Sequence, residues 1–318
     1  MRCSLALVSL GLLHCGANQA GSSSSRPEAS GGASQTSGGG SASTTAGAPS
    51  SSAGSLIVPD TSGGTGGAAA TDDCSDAAKL VYVASDDNDL YSFAPDKLLF
   101  TKLGALSCGS KTVNSMAVDR SGNAWVNFSD GKIFKVDIAT LVCTPTTFVA
   151  QQAGFTKVLG MGFSANSVGS TDETLFVADN KGKGVAKVDP SSLTLTPLGP
   201  YTGDLAGSDA ELTGTGDARL FGFFTTSPAH FAAIDKASGA TPVATLLPTV
   251  DASSGGFAFS FWGGDFWFYT AKDTPTTSVT HYVSATQTAS VVLSDIGFTI
   301  VGAGVSTCAP VVPPPPPK

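Results

Sequence analysis

Charge is what this sequence has least of. Asp, Glu, Lys and Arg make up 13% of its 318 residues, about half the share of an ordinary soluble domain. What charge there is leans acidic, with a net charge of -8 and an isoelectric point near 4.7. No basic stripe occurs, and a basic face is what a nucleic-acid binder needs to neutralise phosphates, so no nucleic-acid partner is expected. Beyond the first fifteen residues there is no apolar run of the roughly 20 residues that a spanning helix requires. Catalytic signatures are missing too. In the body, Gly-x-Gly occurs at 160, 182, 214 and 302, never with the third glycine and following helix of a dinucleotide or P-loop site. No Gly-x-Ser-x-Gly elbow occurs. The body histidines, His230 and His281, stand outside any His-Glu-x-x-His or other ligand-spaced cluster. No catalytic residue is nominated, and no long helical periodicity competes with the strand pattern described below.

What is present begins with a leader. Arg2 supplies a positive start, and residues 4–13 form an apolar stretch of about ten residues, too short to span a bilayer. The order Leu12-Leu13-His14-Cys15 resembles a bacterial lipobox, with leucine three residues before the cysteine that carries the lipid. His14 departs from that pattern, which has a small residue before the cysteine. The resemblance implies a signal peptide over 1–15, lipidation at Cys15 and membrane contact through that anchor only. The alternative is a soluble secreted protein cut after Ala17 or Ala20. Residues 16–73 are mostly Ser, Gly, Ala and Thr, interrupted by Leu56-Ile57-Val58. Such a composition buries too little apolar surface to offset the cost of ordering it, and reads as a disordered tether. As a Gly-rich coil it reaches about 40 Å. A proline-rich tail, "VVPPPPPK" (311–318), closes the sequence, and 310–318 is read as disordered.

Residues 74–309 read as one all-β domain. Five segments rich in β-branched and aromatic residues recur: "LVYVAS" (80–85), "AWVNFS" (124–129), "TLFVAD" (174–179), "RLFGFF" (219–224) and "DFWFYT" (265–270). Each is followed by a turn and a second strand-like run, as in "IFKVD" (133–137) and "VAKVD" (185–189), then by a third. The fourth member of each unit precedes the first: "NSMAVD" (114–119), "GMGFSA" (160–165), "ELTGTG" (211–216), "FAFSFW" (257–262) and "IVGAGV" (300–305). Glycine with Asn or Asp at Gly122-Asn123, Gly216-Asp217 and Gly264-Asp265 supplies the positive φ angles of tight hairpins. Units recur every 43 to 52 residues or so, the interval of a four-stranded propeller blade. The body opens on the second strand of a unit and ends on the first strand of one. That order predicts a five-bladed β-propeller closed by a shared blade.

Four body cysteines, in a chain that reads as exported, predict two disulfides, with three pairings possible. In the closing blade the inner and second strands come from opposite ends of the domain. Cys308 follows the former and Cys74 precedes the latter, so a Cys74–Cys308 bridge restores the missing connection. Cys108 and Cys143 pair by elimination. Gly162, Gly214, Gly216, Gly302 and Gly304 mark inner strands converging on a narrow axis. Trp262, Trp267 and Tyr269 read as inter-blade core rather than a sugar-stacking platform.

In a propeller the loops entering the inner strands share a face with the second-to-third-strand loops, and ligands usually bind there. That face presents Asp86, Asp87, Asp89, Asn114, Asp130, Lys157, Asp179, Asn180, Lys183, Asp209 and Glu211. The turn "SDDNDL" (85–90) offers hard oxygens, but it lacks the glycine and distal glutamate of an EF-hand loop. It reads as a solvated acidic hairpin with no cofactor, a divalent ion such as calcium being the alternative.

The body resembles YVTN, NHL and gluconolactonase-type propellers through units such as "LFVADNKGKGVAKVDPSSLTLTPLG" (175–199). The whole chain resembles the lipid-anchored, Ser/Gly-tethered propeller lipoproteins of myxobacteria. These resemblances imply an exported binding or scaffold module of the cell envelope, monomeric, with an unknown envelope or extracellular ligand. The gluconolactonase likeness implies an alternative, a metal-dependent lactonase or hydrolase at the axial opening. Glu211, Asn114 and Asp209 match its ligand types, but their spacing does not establish its site.

Overall fold

Runs that are apolar on both faces form strands buried on both faces. In the computed structural model, which describes residues 74–109, 111–273 and 275–314, every residue of β1 (Val81–Ser85) is buried. The leader, Cys15, the tether to residue 73 and residues 315–318 lie outside the described residues. After β1 come β2 (Asp89–Ala94) and β3 (Leu99–Ala105). A first complete set follows: β4 (Val113–Val118), β5 (Asn123–Phe128), β6 (Ile133–Asp137) and β7 (Cys143–Pro145). The next is β8 (Leu159–Ala165), β9 (Glu173–Asp179), β10 (Val185–Val188) and β11 (Leu195–Gly199). Then come β12 (Ala210–Gly214), β13 (Leu220–Phe224), β14 (Ala229–Ala233) and β15 (Ala244–Leu247). The last set is β16 (Phe257–Trp262), β17 (Asp265–Thr270), β18 (Ser278–Val283) and β19 (Thr288–Leu293), and β20 (Ile300–Val305) ends the series.

Each set is one four-stranded antiparallel sheet, and the remaining sheet runs β20-β1-β2-β3. The inner strands β4, β8, β12, β16 and β20 pack each against the next, and β20 packs on β4, so the ring closes. In the shared blade Val81 stands opposite Val305 and Ser85 opposite Ile300. The five-bladed propeller read from the order of the units is the observed architecture.

The core is five clusters, one between each pair of neighbouring blades. A single strand therefore feeds two of them. Phe221 and Phe223 of β13 pack toward the last complete blade, while Leu220 and Phe224 pack toward the blade before. This is why a second strand such as β13 shows no alternation of apolar and polar residues. The outermost strands have only one neighbouring strand and revert to partial exposure, as in β3.

Close approach explains the inner glycines. A Cβ on Gly214 would stand 2.1 Å from the Phe163 carbonyl oxygen, and one on Gly216 2.2 Å from that of Thr307. The positive φ of that hairpin falls on Ala218, at 69°, rather than on Gly216. Backbone contact, not turn conformation, is what requires glycine at 216. At the outer hairpins Asp137, Asp189 and Asp235 build one recurring turn. Each carboxylate accepts amide N–H bonds from residues two or three places on. Residues four places on then adopt left-handed φ at Leu141, Leu193 and Gly239. These amide and hydroxyl donors hold the Asp189 carboxyl down to about 2 and lower those of Asp137 and Asp235.

Both disulfides are those expected, Cys74–Cys308 with Cα atoms 5.7 Å apart and Cys108–Cys143 at 5.2 Å. A polar cluster surrounds the first. The Arg120 guanidinium donates to Cys74 Sγ at 3.3 Å and to Thr307 Oγ1 at 3.2 Å, and Thr307 donates to Glu173 at 2.8 Å. Glu173 also accepts the Arg120 amide at 2.8 Å, while burial pushes its carboxyl above the usual range. The ring closure is thereby tied to three different blades.

Candidate functional site

The pole where chain enters the inner strands is held by a repeated device. A side chain of one blade receives the first inner-strand amide of the next. Asn88, in the left-handed region at φ 63°, accepts Val113 N–H at 2.7 Å. Asn127 accepts Leu159 N–H at 3.0 Å, and Thr277 Oγ1 accepts Ile300 N–H at 2.8 Å. Asp179 does comparable work inside its own blade, accepting the Thr156 amide and hydroxyl at 2.7 and 2.8 Å. Its other oxygen accepts the Lys181 and Lys183 amides. Of these, Asn88, Asn127 and Thr277 are not among the residues singled out from sequence. A polar residue beside a strand end carries no periodicity that would mark it.

Around this frame the residues expected on the ligand face separate into two groups. Most are engaged in structure. Asp89 pairs with Lys102 at 2.6 Å and Asp130 with Lys132 at 3.3 Å. Asn114 donates to Asn127 Oδ1 at 3.2 Å and to the Leu159 carbonyl at 3.0 Å. Asp209 accepts from Thr225, and Asn180 from Thr156. Lys183 donates to the Ala153 carbonyl. Glu211, the second residue of β12, is buried. The second group is Asp86, Asp87 and Lys157, all exposed. Neither Asp86 nor Asp87 has a side-chain hydrogen bond or ion pair among the described residues.

Glu211 reaches past β8 to Ser115 of β4, which donates to it at 2.7 Å. Burial raises its carboxyl well above the ordinary value, opposed by Ser115 and by the Met161 and Leu212 amides. Close by, the Tyr201 hydroxyl is fully buried with no hydrogen-bond partner among the described residues. Burial raises it, as do the charges of Asp179, Asp209 and Glu211. The sign for Glu211 is fixed by its raised folded value. Its contribution to stability is fully present below the unfolded value of about 4.3 and declines as pH rises toward the folded one. Glu211→Gln keeps the contact and cannot ionise. Urea unfolding is expected to give similar stabilities near pH 4 and a more stable variant at pH 8, the gap widening by up to about 1.4 kcal/mol per pH unit. A gap that ignores pH would contradict this.

Among the described residues no group of three or more His, Cys, Asp and Glu is placed to hold an ion. Glu211, Asn114 and Asp209 are each held by different partners. Each residue of the set that the gluconolactonase likeness implies is thus already hydrogen-bonded within the fold.

Fold and rim together define a β-propeller with an acidic, loop-built pole. No protein-family model matches the chain, and no curated protein does. Among solved structures the chain is similar to one from a nidogen/laminin complex, at 10% identity and a TM-score of 0.44, over 71% of this chain and 97% of that one. It is similar to the same extent, on all four measures, to a protein of unknown function from Bacteroides caccae. A chain of the mitotic checkpoint complex matches at 12% identity and a TM-score of 0.39, over 71% of this chain and 63% of that one.

Proposed function

We propose that this protein is an exported, non-catalytic binding module of the cell envelope. Cys15 carries a lipid, residues 16–73 tether the domain, and the monomeric propeller holds an envelope or extracellular ligand on its acidic pole. Two disulfides support an oxidising, extracytoplasmic location, and among the described residues no helix is long and apolar enough to cross a membrane. The observation that carries the binding face is that Asp86 and Asp87 have no side-chain partner among the described residues, whereas Asp89, Asp130, Asp179 and Asp209 of the same face are engaged. Rigid blades hold that loop in place, and exposed charge on rigid scaffolding suits recognition. A lactonase at the axial opening would need Glu211, Asn114 and Asp209 to turn toward one ion, giving up the hydrogen bonds each now makes.

Immobilised protein, wild type and Asp86→Ala/Asp87→Ala, tests this on envelope and medium fractions. The variant is expected to keep its stability within about 0.5 kcal/mol, as surface substitutions do, and to retain its ligand at least tenfold less. Equal retention by both proteins overturns the assignment of the face.

A further inference from the structure

On the opposite pole, at the seam between the last complete blade and the shared blade, lies an open cleft of about 390 Å³. Its walls are Trp262, Trp267 and His281 on one side and Pro95, Asp96 and Leu98 on the other. Both indole N–H groups are engaged elsewhere, Trp262 on the Lys79 carbonyl at 2.7 Å and Trp267 on that of Trp262 at 3.3 Å. His281 stacks on Trp267 at 4.0 Å and is held by Asp265 at 2.9 Å. What such a cleft offers a ligand is flat apolar surface with an acidic margin.

The chain itself enters this cleft. Pro310 accepts the Gly263 amide at 2.8 Å. The following residues lie flat over the hairpin tip, where a Cβ on Gly264 would stand 3.4 Å from Pro313 and one on Gly263 3.7 Å from Pro314. Pro313 and Pro314 already line the cleft, and the sequence continues with Pro315, Pro316, Pro317 and Lys318. Polyproline II is preformed, so it docks on aromatic-lined grooves at little entropic cost. That continuation ends on a cation, Lys318, and the cleft wall carries the exposed carboxylate Asp96, so the two are complementary in charge. We propose that this cleft is a polyproline-binding site and that residues 313–318 of the same chain are its occupant.

The test compares the full chain with a full-length variant carrying Pro313→Gly, Pro314→Gly, Pro315→Gly, Pro316→Gly and Pro317→Gly. The readout is the His281 ring resonances in NMR, and the probe is the synthetic peptide VVPPPPPK. The His281 signals are expected to move in the variant and to return, saturably, when peptide is added. Wild type should bind the peptide at least tenfold more weakly, its site being filled. Leu98→Asn, a residue type that tolerates the left-handed φ of 51° found there, should weaken peptide binding to the tail-substituted variant about tenfold. Identical His281 signals in both chains overturn the proposal. So does equal peptide binding by both, which would make the cleft a site for a proline-rich partner.

Discussion

Cys74→Ser with Cys308→Ser is expected to lower the unfolding free energy by about 4–5 kcal/mol, more than any surface change in the molecule. The bridge closes a loop of 234 residues, and chain-entropy stabilisation grows with the logarithm of loop length. The loss falls on the joint, where β20–β1 pairing, the Tyr91–Phe298 stack and the Arg120–Thr307–Glu173 cluster would be left to hold the ring. Cys108→Ser with Cys143→Ser opens a loop of 35 residues and should cost about 3–4 kcal/mol. Denaturant unfolding of both pairs checks the order. If removing the short-loop bridge costs more, ring closure is not what the long one secures.

Trp267→Ala is expected to cost about 3–5 kcal/mol, the range for deleting a large aromatic from a core. Trp267 is 4% exposed, meets Phe93 of the shared blade edge-on at 5.6 Å and stacks on His281. It therefore fills the contact between the last complete blade and the shared one. As a sugar-stacking platform it would behave differently: substitution would leave stability within about 0.5 kcal/mol and remove sugar retention. Unfolding and sugar-column measurements on the same variant separate the two.

Much of this fold is legible in the residues because propeller strands face neighbours on both sides. Runs such as "FWFY" (266–269) carry large apolar rings at successive positions and stand out without any alternation. The order of units settles closure, and closure settles the cysteines. What is hidden is contact between backbones. Gly216 looks like a turn glycine until Thr307 is seen against it, and nothing in the sequence announces Ala218 at positive φ. The site is legible only in outline. Asp86, Asp87 and Lys157 are exposed as their loops suggest, whereas Glu211, two residues from Asp209, turns inward to Ser115. A strand start fixes which loop a residue belongs to, but depth along the axis depends on how closely the inner strands converge.

Export, anchoring and ring closure meet in one number, the intact mass of the protein recovered from its cells without reduction. A chain beginning at Cys15, carrying acyl chains and lacking the four hydrogens of two disulfides, is the predicted result. A chain that still begins at Met1, unlipidated and with all its thiols free, would contradict it.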